Sequence, residues 1–203
     1  MHRLSLFVLA AGLIVCACDQ PPTKEIAAAE AALAAAEEQG AAKYAPERLE
    51  AARVALQEAQ RRVQAKDYRG ALSAAGEAGE KARATGKSAE AAKQLAESAA
   101  ESARDEARIL LDEVPPLKDA ATEAKVAPEA FTEPDAELAA VQALLASCDQ
   151  ALERKDFLAA RTQAEEARGR ARVLPERFSQ ARSDWEAAHP KKPKGRAKPA
   201  KKR

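Results

Sequence analysis

The sequence predicts an all-α protein of tandem helical hairpins, and three observations predict it. The first is composition: 54 of 203 residues are alanine, 32% are charged and 3% are aromatic. That bias towards Ala, Glu, Lys, Leu and Arg suits long helices and leaves few strand formers. The second is period. Apolar residues recur at alternating steps of three and four, as in Leu49, Ala52, Leu56, Ala59 and Val63, which is the one-sided stripe of an amphipathic helix. The third is an internal repeat: residues 49–83 return as 138–172, offset by 89. Identities fall at Leu49, Ala51, Leu56, Lys66, Asp67, Ala71, Ala75, Glu77, Ala78, Ala82 and Arg83, each with its partner 89 positions on. An alanine side chain buries little area, so at ~25 cal/mol per Å² the core is expected to be thin and helix propensity to contribute much of the order. The expected molecule is elongated and coiled-coil-like.

Residues 1–17 read as a lipoprotein signal peptide. His2 and Arg3 form a short basic start, and Leu4 to Val15 is an apolar or small run. That run has the length of a signal core and falls short of the ~20 residues a spanning helix needs. It ends Val15-Cys16-Ala17-Cys18, which resembles the bacterial lipobox, where a small residue precedes the cysteine that is diacylated. Cys18 is the expected lipidation site, because Ala17 is small and Val15 before Cys16 is not. The alternatives are an ordinary signal peptide cut nearby or a Cys16–Cys18 disulfide. Asp19 after the cysteine resembles a membrane-sorting signal that retains lipoproteins at the inner membrane.

Residues 18–24 form the tether, and residues 25–114 the first helical repeat. Its first helix runs from Glu25 to Gly40 with Ile26, Ala29, Leu33 and Ala36 on one stripe. Tyr44-Ala45-Pro46 breaks the chain, and Pro46 suits the first turn of the next helix. That helix ends near Lys66, where Asp67 is placed to cap a third. The third carries Ala75, Ala78, Ala82, Thr85, Ala89, Ala92, Ala96, Ala99 and Ala103, then Leu110 and Val114. A sustained 3.5-residue period of this kind predicts a left-handed supercoil.

Residues 115–189 form the second repeat, opening at Pro115-Pro116, with a short helix expected over Leu117 to Val126. Phe131-Thr132-Glu133-Pro134 repeats the aromatic-then-proline elbow, and Leu138, Val141, Leu145, Cys148 and Leu152 form the next stripe. After Asp156 the seam continues through Ala160, Ala164, Ala167, Ala171, Leu174, Phe178, Ala181, Trp185 and Ala188. Pro175, and Gly86 near the matching place in the first repeat, are expected to bend the two long helices. Residues 190–203 change abruptly to Lys191, Lys192, Lys194, Arg196, Lys198, Lys201, Lys202 and Arg203 among prolines and glycine. This composition builds no core and predicts a disordered basic tail suited to binding an anionic surface. The body between leader and tail carries eight more acids than bases, so the net charge of +1 hides an asymmetry.

Catalytic chemistry finds no support in the sequence. The only histidines are His2 and His189, which argues against a histidine-assisted nucleophile or a histidine metal site. Gly86-Lys87-Ser88 resembles the end of a phosphate loop, but Lys81 stands where that loop needs glycine. Cys148 lies on the seam and is expected to be buried and inert. No catalytic residue, metal site or cofactor is expected.

Tyr44-Ala45-Pro46, the Leu49, Ala52, Leu56, Ala59 stripe, then Asp67-Tyr68 and Ala71, Ala75 and Ala78 together resemble an uncharacterised family of bacterial envelope lipoproteins. That family has an alanine-rich helical domain of unknown function with a Tyr-Ala-Pro start and a Gly-Asp-Tyr-like turn; here Lys66 stands in the glycine place. Tetratricopeptide-like helical hairpins share the Asp-aromatic turn. The resemblance covers 25–113 well and 117–188 more loosely, and it implies no catalytic residues. It adds to the expectation of a membrane-anchored structural or protein-interaction scaffold on the periplasmic side of the envelope, the inner membrane slightly favoured. The alternative is a tether to anionic cell wall or lipid through the tail. The expected partners are the membrane and an envelope protein, and not nucleic acid.

Overall fold

The computed structural model describes residues 20–190, which form only helices and the turns between them. The helices are α1 (Thr23–Glu38), α2 (Ala41–Tyr44), α3 (Pro46–Gln64), α4 (Tyr68–Leu111), α5 (Val114–Glu123), α6 (Thr132–Glu153), α7 (Phe157–Ala171) and α8 (Leu174–Ala188), with a 3-10 turn at Pro128–Phe131. Packing divides the chain into two compact units, and the division between Lys93 and Gln94 lies inside α4.

In the first unit, α1 starts on Pro22 and ends at Gly40, whose φ of 86° is open to glycine at no steric cost. Pro46 then occupies the first turn of α3, where its missing N–H removes no helical hydrogen bond. The close of α3 satisfies its last carbonyls from two amides: Lys66 N–H donates to the Val63 carbonyl and Asp67 N–H to that of Arg62, with Lys66 left-handed at φ 61°. Asp67 Oδ1 accepts from the Gly70 amide at 2.9 Å and so starts α4. Two contacts fix α3 antiparallel to α1: Arg53 meets Glu37 at 2.6 Å and Gln60 meets Glu30 at 3.0 Å. α4 runs parallel to α1, because a Cβ on Gly79 would stand 3.7 Å from the Ala29 Cα and one on Gly86 3.5 Å from the Ala36 Cα. Glycine facing alanine, seven residues apart on both helices, lets the two backbones approach closely. The core is correspondingly small: Ala29, Ala55, Leu56 and Ala78 in one cluster, and Ala36, Ala41, Ala45, Leu49 and Ala89 in another.

The second unit repeats this plan with different members. The α4 residues from 94 onward, α6 and α7 pack together through Ala100, Ala103, Cys148, Ala151, Ala160 and Ala164, and then through Ala107, Val141, Leu145, Ala167 and Ala171. Ascending α4 therefore meets descending α6 and ascending α7, so this part of α4 stands to its hairpin as α1 stands to the first. Lys155 is left-handed at φ 58°, and Asp156 Oδ1 caps α7 by accepting from the Ala159 amide at 3.1 Å. α5 and α8 add the larger side chains, with Phe178 stacked on Phe131 at 5.7 Å between ring centroids and Leu174 and Val114 buried beside them.

The structure departs from the sequence expectations at several points. α4 is unbroken through Gly86, because a helical glycine costs only ~1 kcal/mol and α1 packs over it. At Pro175 the chain breaks rather than bends: α7 stops at Ala171 and Pro175 sits in the first turn of α8. Pro115 and Pro116 likewise open α5, which starts at Val114 and ends at Glu123, while the packing division falls well before them. The short α2 was not expected. Buried positions on α4 run Ala71, Ala75, Ala78, Ala82, Thr85, Ala89, then Ala96, Ala100, Ala103 and Ala107, whereas Ala92 and Ala99 are half-buried. From Ala75 to Ala103 the stripe keeps the expected alternation of three and four, except that Ala100 is buried where Ala99 was expected, at the place where the partners of α4 change to α6 and α7.

Candidate functional site

Every site residue named from the sequence, Cys18 and Asp19 at one end and Lys191, Lys192, Lys194, Arg196, Lys198, Lys201, Lys202 and Arg203 at the other, lies outside the described residues. Nothing in the fold bears on them directly. What the fold does add is a grouping of charge that the sequence scatters.

Because α1 is antiparallel to α3 and parallel to α4, its start lies at the same end of the first unit as the turn between α3 and α4. That end carries Lys24, Arg61, Arg62, Lys66 and Arg69, all exposed. The nearby acids are Glu25, Glu58 and Asp67, with Glu30 bonded to Gln60 and Glu77 paired with Lys81 just behind them. Arg61 and Arg62 both pair with Glu58, at 2.9 and 2.8 Å, and Arg62 also reaches Asp67 at 3.3 Å. The hydrogen bond to Glu58, more than any other interaction, holds the Arg62 guanidinium above its ordinary pKa. Among the described residues Lys24, Lys66 and Arg69 have no carboxylate within ion-pair distance. Sequence reading missed this group because its members span positions 24 to 69; the only local signal was the Arg61-Arg62 pair.

The remaining candidates are weaker. A groove of about 270 Å³ between α3 and α4 is floored by Ala51, Val54, Ala55 and Ala74. Its rim is closed by ion pairs within each helix, Arg61 with Glu58 and Lys81 with Glu77 at 2.6 Å. A second, of about 240 Å³, is lined by Leu117 of α5 and by Phe178, Ser179, Arg182, Ser183 and Glu186 of α8. Gly86-Lys87-Ser88 is continuous helix, and Ser88 accepts a hydrogen bond from Arg48 at 2.7 Å, so its amides face no ligand. Cys148 is fully buried, and burial, with Asp149 adding to it, pushes its thiol pKa up. Trp185, placed in the core by its seam position, is instead half-buried at the edge of the cluster and stacked on His189 at 4.5 Å. Among the described residues no group of carboxylates, histidines or cysteines has metal-binding geometry, and no helix is long and apolar enough to cross a membrane. No protein-family model matches the chain, and neither does any curated protein or solved structure.

Proposed function

We propose that the chain is a lipid-anchored lipoprotein of the bacterial cell envelope, held on the periplasmic side, whose helical body is a structural or protein-interaction scaffold. The observation that carries this reading is Cys16-Ala17-Cys18 directly after the apolar run Leu4 to Val15. Asp19 favours the inner membrane. The likeness of the Tyr44-Ala45-Pro46 and Asp67-Tyr68 motifs to envelope lipoproteins supports the same placement. Helices with small buried faces and charged outer ones suit a spacer or docking platform, and the reading assigns no catalytic residue and no cofactor.

With the leader removed, the acyl chains are the hydrophobic anchor, and Cys18→Ser removes them. Metabolic labelling with a fatty acid is expected to mark the wild-type chain and not the variant, which leaves the membrane fraction. Equal labelling of both overturns the assignment. Cross-linking in intact envelopes followed by capture then identifies a protein partner.

A second reading is favoured by one specific observation, the eight bases within the last thirteen residues. They would tether the protein to anionic cell wall or lipid, each charge near an anionic membrane contributing ~1 kcal/mol within a Debye length of about 8 Å. A chain ending at His189 is expected to keep its helicity and lose salt-sensitive sedimentation with purified cell wall. Equal sedimentation of the two chains overturns the tether.

A further inference from the structure

We infer that the cationic end of the first unit, the start of α1 together with the Lys66-Asp67 turn, is a docking surface for anionic lipid headgroups of the membrane that holds the anchor. The inference rests on the reading of Cys18 as the lipidated residue. From Cys18 to Thr23 there are five residues, which cannot span more than about 18 Å. Whatever end of the first unit lies next to Thr23 is therefore kept next to the headgroups.

Two registers identify that end. Glu30 meets Gln60, so seven residues back along α1 and seven forward along the antiparallel chain bring Thr23 level with Asp67. Ala29 lies against Gly79, so six residues back along both parallel helices bring Thr23 level with residue 73 of α4, leaving the turn about 9 Å further towards the membrane. The other end of the unit, beyond Glu38, stands about 24 Å back along α1. The turn therefore lies level with Thr23 by the first register and up to about 9 Å ahead of it by the second, and the tether is long enough to let it touch the headgroups.

Charge agrees with this direction. The leading end has six exposed bases, Lys81 included, against Glu25, Glu30, Glu58, Asp67 and Glu77, and of these bases Lys24, Lys66 and Arg69 have no ion-pair partner among the described residues. Arg61 and Arg62 share Glu58, and Arg62 also reaches Asp67, which still leaves each guanidinium an N–H donor for a phosphate. The far end carries Glu37, Glu38 and Glu47 against Lys43, Arg48 and Lys87, and Glu37 is paired with Arg53, so its charges balance. Within a Debye length of about 8 Å an anionic surface draws in the unpaired bases of the first end and gains nothing from the balanced second.

The test uses the lipidated full-length chain in vesicles of one part phosphatidylglycerol to three parts phosphatidylcholine, with a spin-labelled headgroup as quencher. In a Cys148→Ala background, a fluorophore is placed at the leading end through Gln64→Cys or at the far end through Ala42→Cys; both positions are exposed. Quenching is expected to be several-fold stronger at 64 than at 42. Reversing Lys24, Lys66 and Arg69 to glutamate, with circular dichroism unchanged, should shrink the contrast, each reversal, a change of two charges, shifting the docking equilibrium about thirtyfold. Vesicles of phosphatidylcholine alone should shrink it as well. Equal quenching at the two positions, or a contrast indifferent to charge reversal and lipid, overturns the docking surface while the anchor stands. A chain that takes up no fatty acid and does not float with vesicles overturns the anchor, and this inference with it.

Discussion

Lys66 and Lys155 stand 89 positions apart and hold the same left-handed backbone, at φ 61° and 58°. Each is followed by an aspartate whose amide closes the preceding helix, Asp67 on the Arg62 carbonyl and Asp156 on that of Ala151. Each aspartate then caps the next helix through its side chain. Lysine is an unusual residue for this conformation, which costs a residue with a Cβ ~1–2 kcal/mol, although its ammonium suits the negative end of the helix dipole.

It follows that Lys66→Gly should be more stable than Lys66→Ala by about 1 kcal/mol, since both lose the ammonium and only alanine keeps the steric conflict. The same order is expected at Lys155. Urea denaturation of the four variants checks it, and alanine equal to glycine would mean that these turns are not left-handed in solution.

Gly79 tests the close approach of α1 to α4. A Cβ there would lie 3.7 to 3.8 Å from Ala29, in ordinary contact, with the movable end of Arg83 at 3.3 Å. Gly79→Ala is expected to raise stability by about 1 kcal/mol through helix propensity, whereas Gly79→Leu should lower it by about 1–3 kcal/mol through overpacking. If the leucine variant melts no lower than the wild type, α1 does not pack where the structure puts it.

Cys148 makes a prediction about pH. Burial raises its thiol pKa in the folded chain, so the unfolded chain gives up the proton first. The stability of the protonated thiol is fully present below the unfolded value of ~8.5 and declines as pH rises from there towards the folded value. Subtracting the denaturation midpoints of Cys148→Ala removes titrations common to both chains. The difference should be flat to about pH 8 and fall above it. A flat difference throughout would mean an accessible thiol.

The turns and caps were legible because they depend on local chemistry: Asp67 and Asp156 are where a cap is required, and Pro46 is where a helix begins. Leu56 with Ala78, and Leu145 with Ala167, share buried clusters, as counting equal distances from each turn implies. What the sequence hid was which partner each helix takes. Gly86 looks like a weak point until Ala36 is seen lying over it, and Ala100 looks like a flank of the seam until Cys148 and Ala160 enclose it. The cationic end was hidden for the same reason, since Lys24 joins Arg69 only once α1 is known to run parallel to α4.

The alanine lining of both cores has a calorimetric consequence. Heat capacity rises on unfolding because apolar surface meets water, by ~12–15 cal/mol/K per residue in ordinary domains. Here most buried residues of α4 and α7 are alanine, with one methyl group each to expose. The increment per residue should therefore fall below that range, and the curve of stability against temperature should be correspondingly shallow. Such a protein would lose little on cooling and give way gradually on heating.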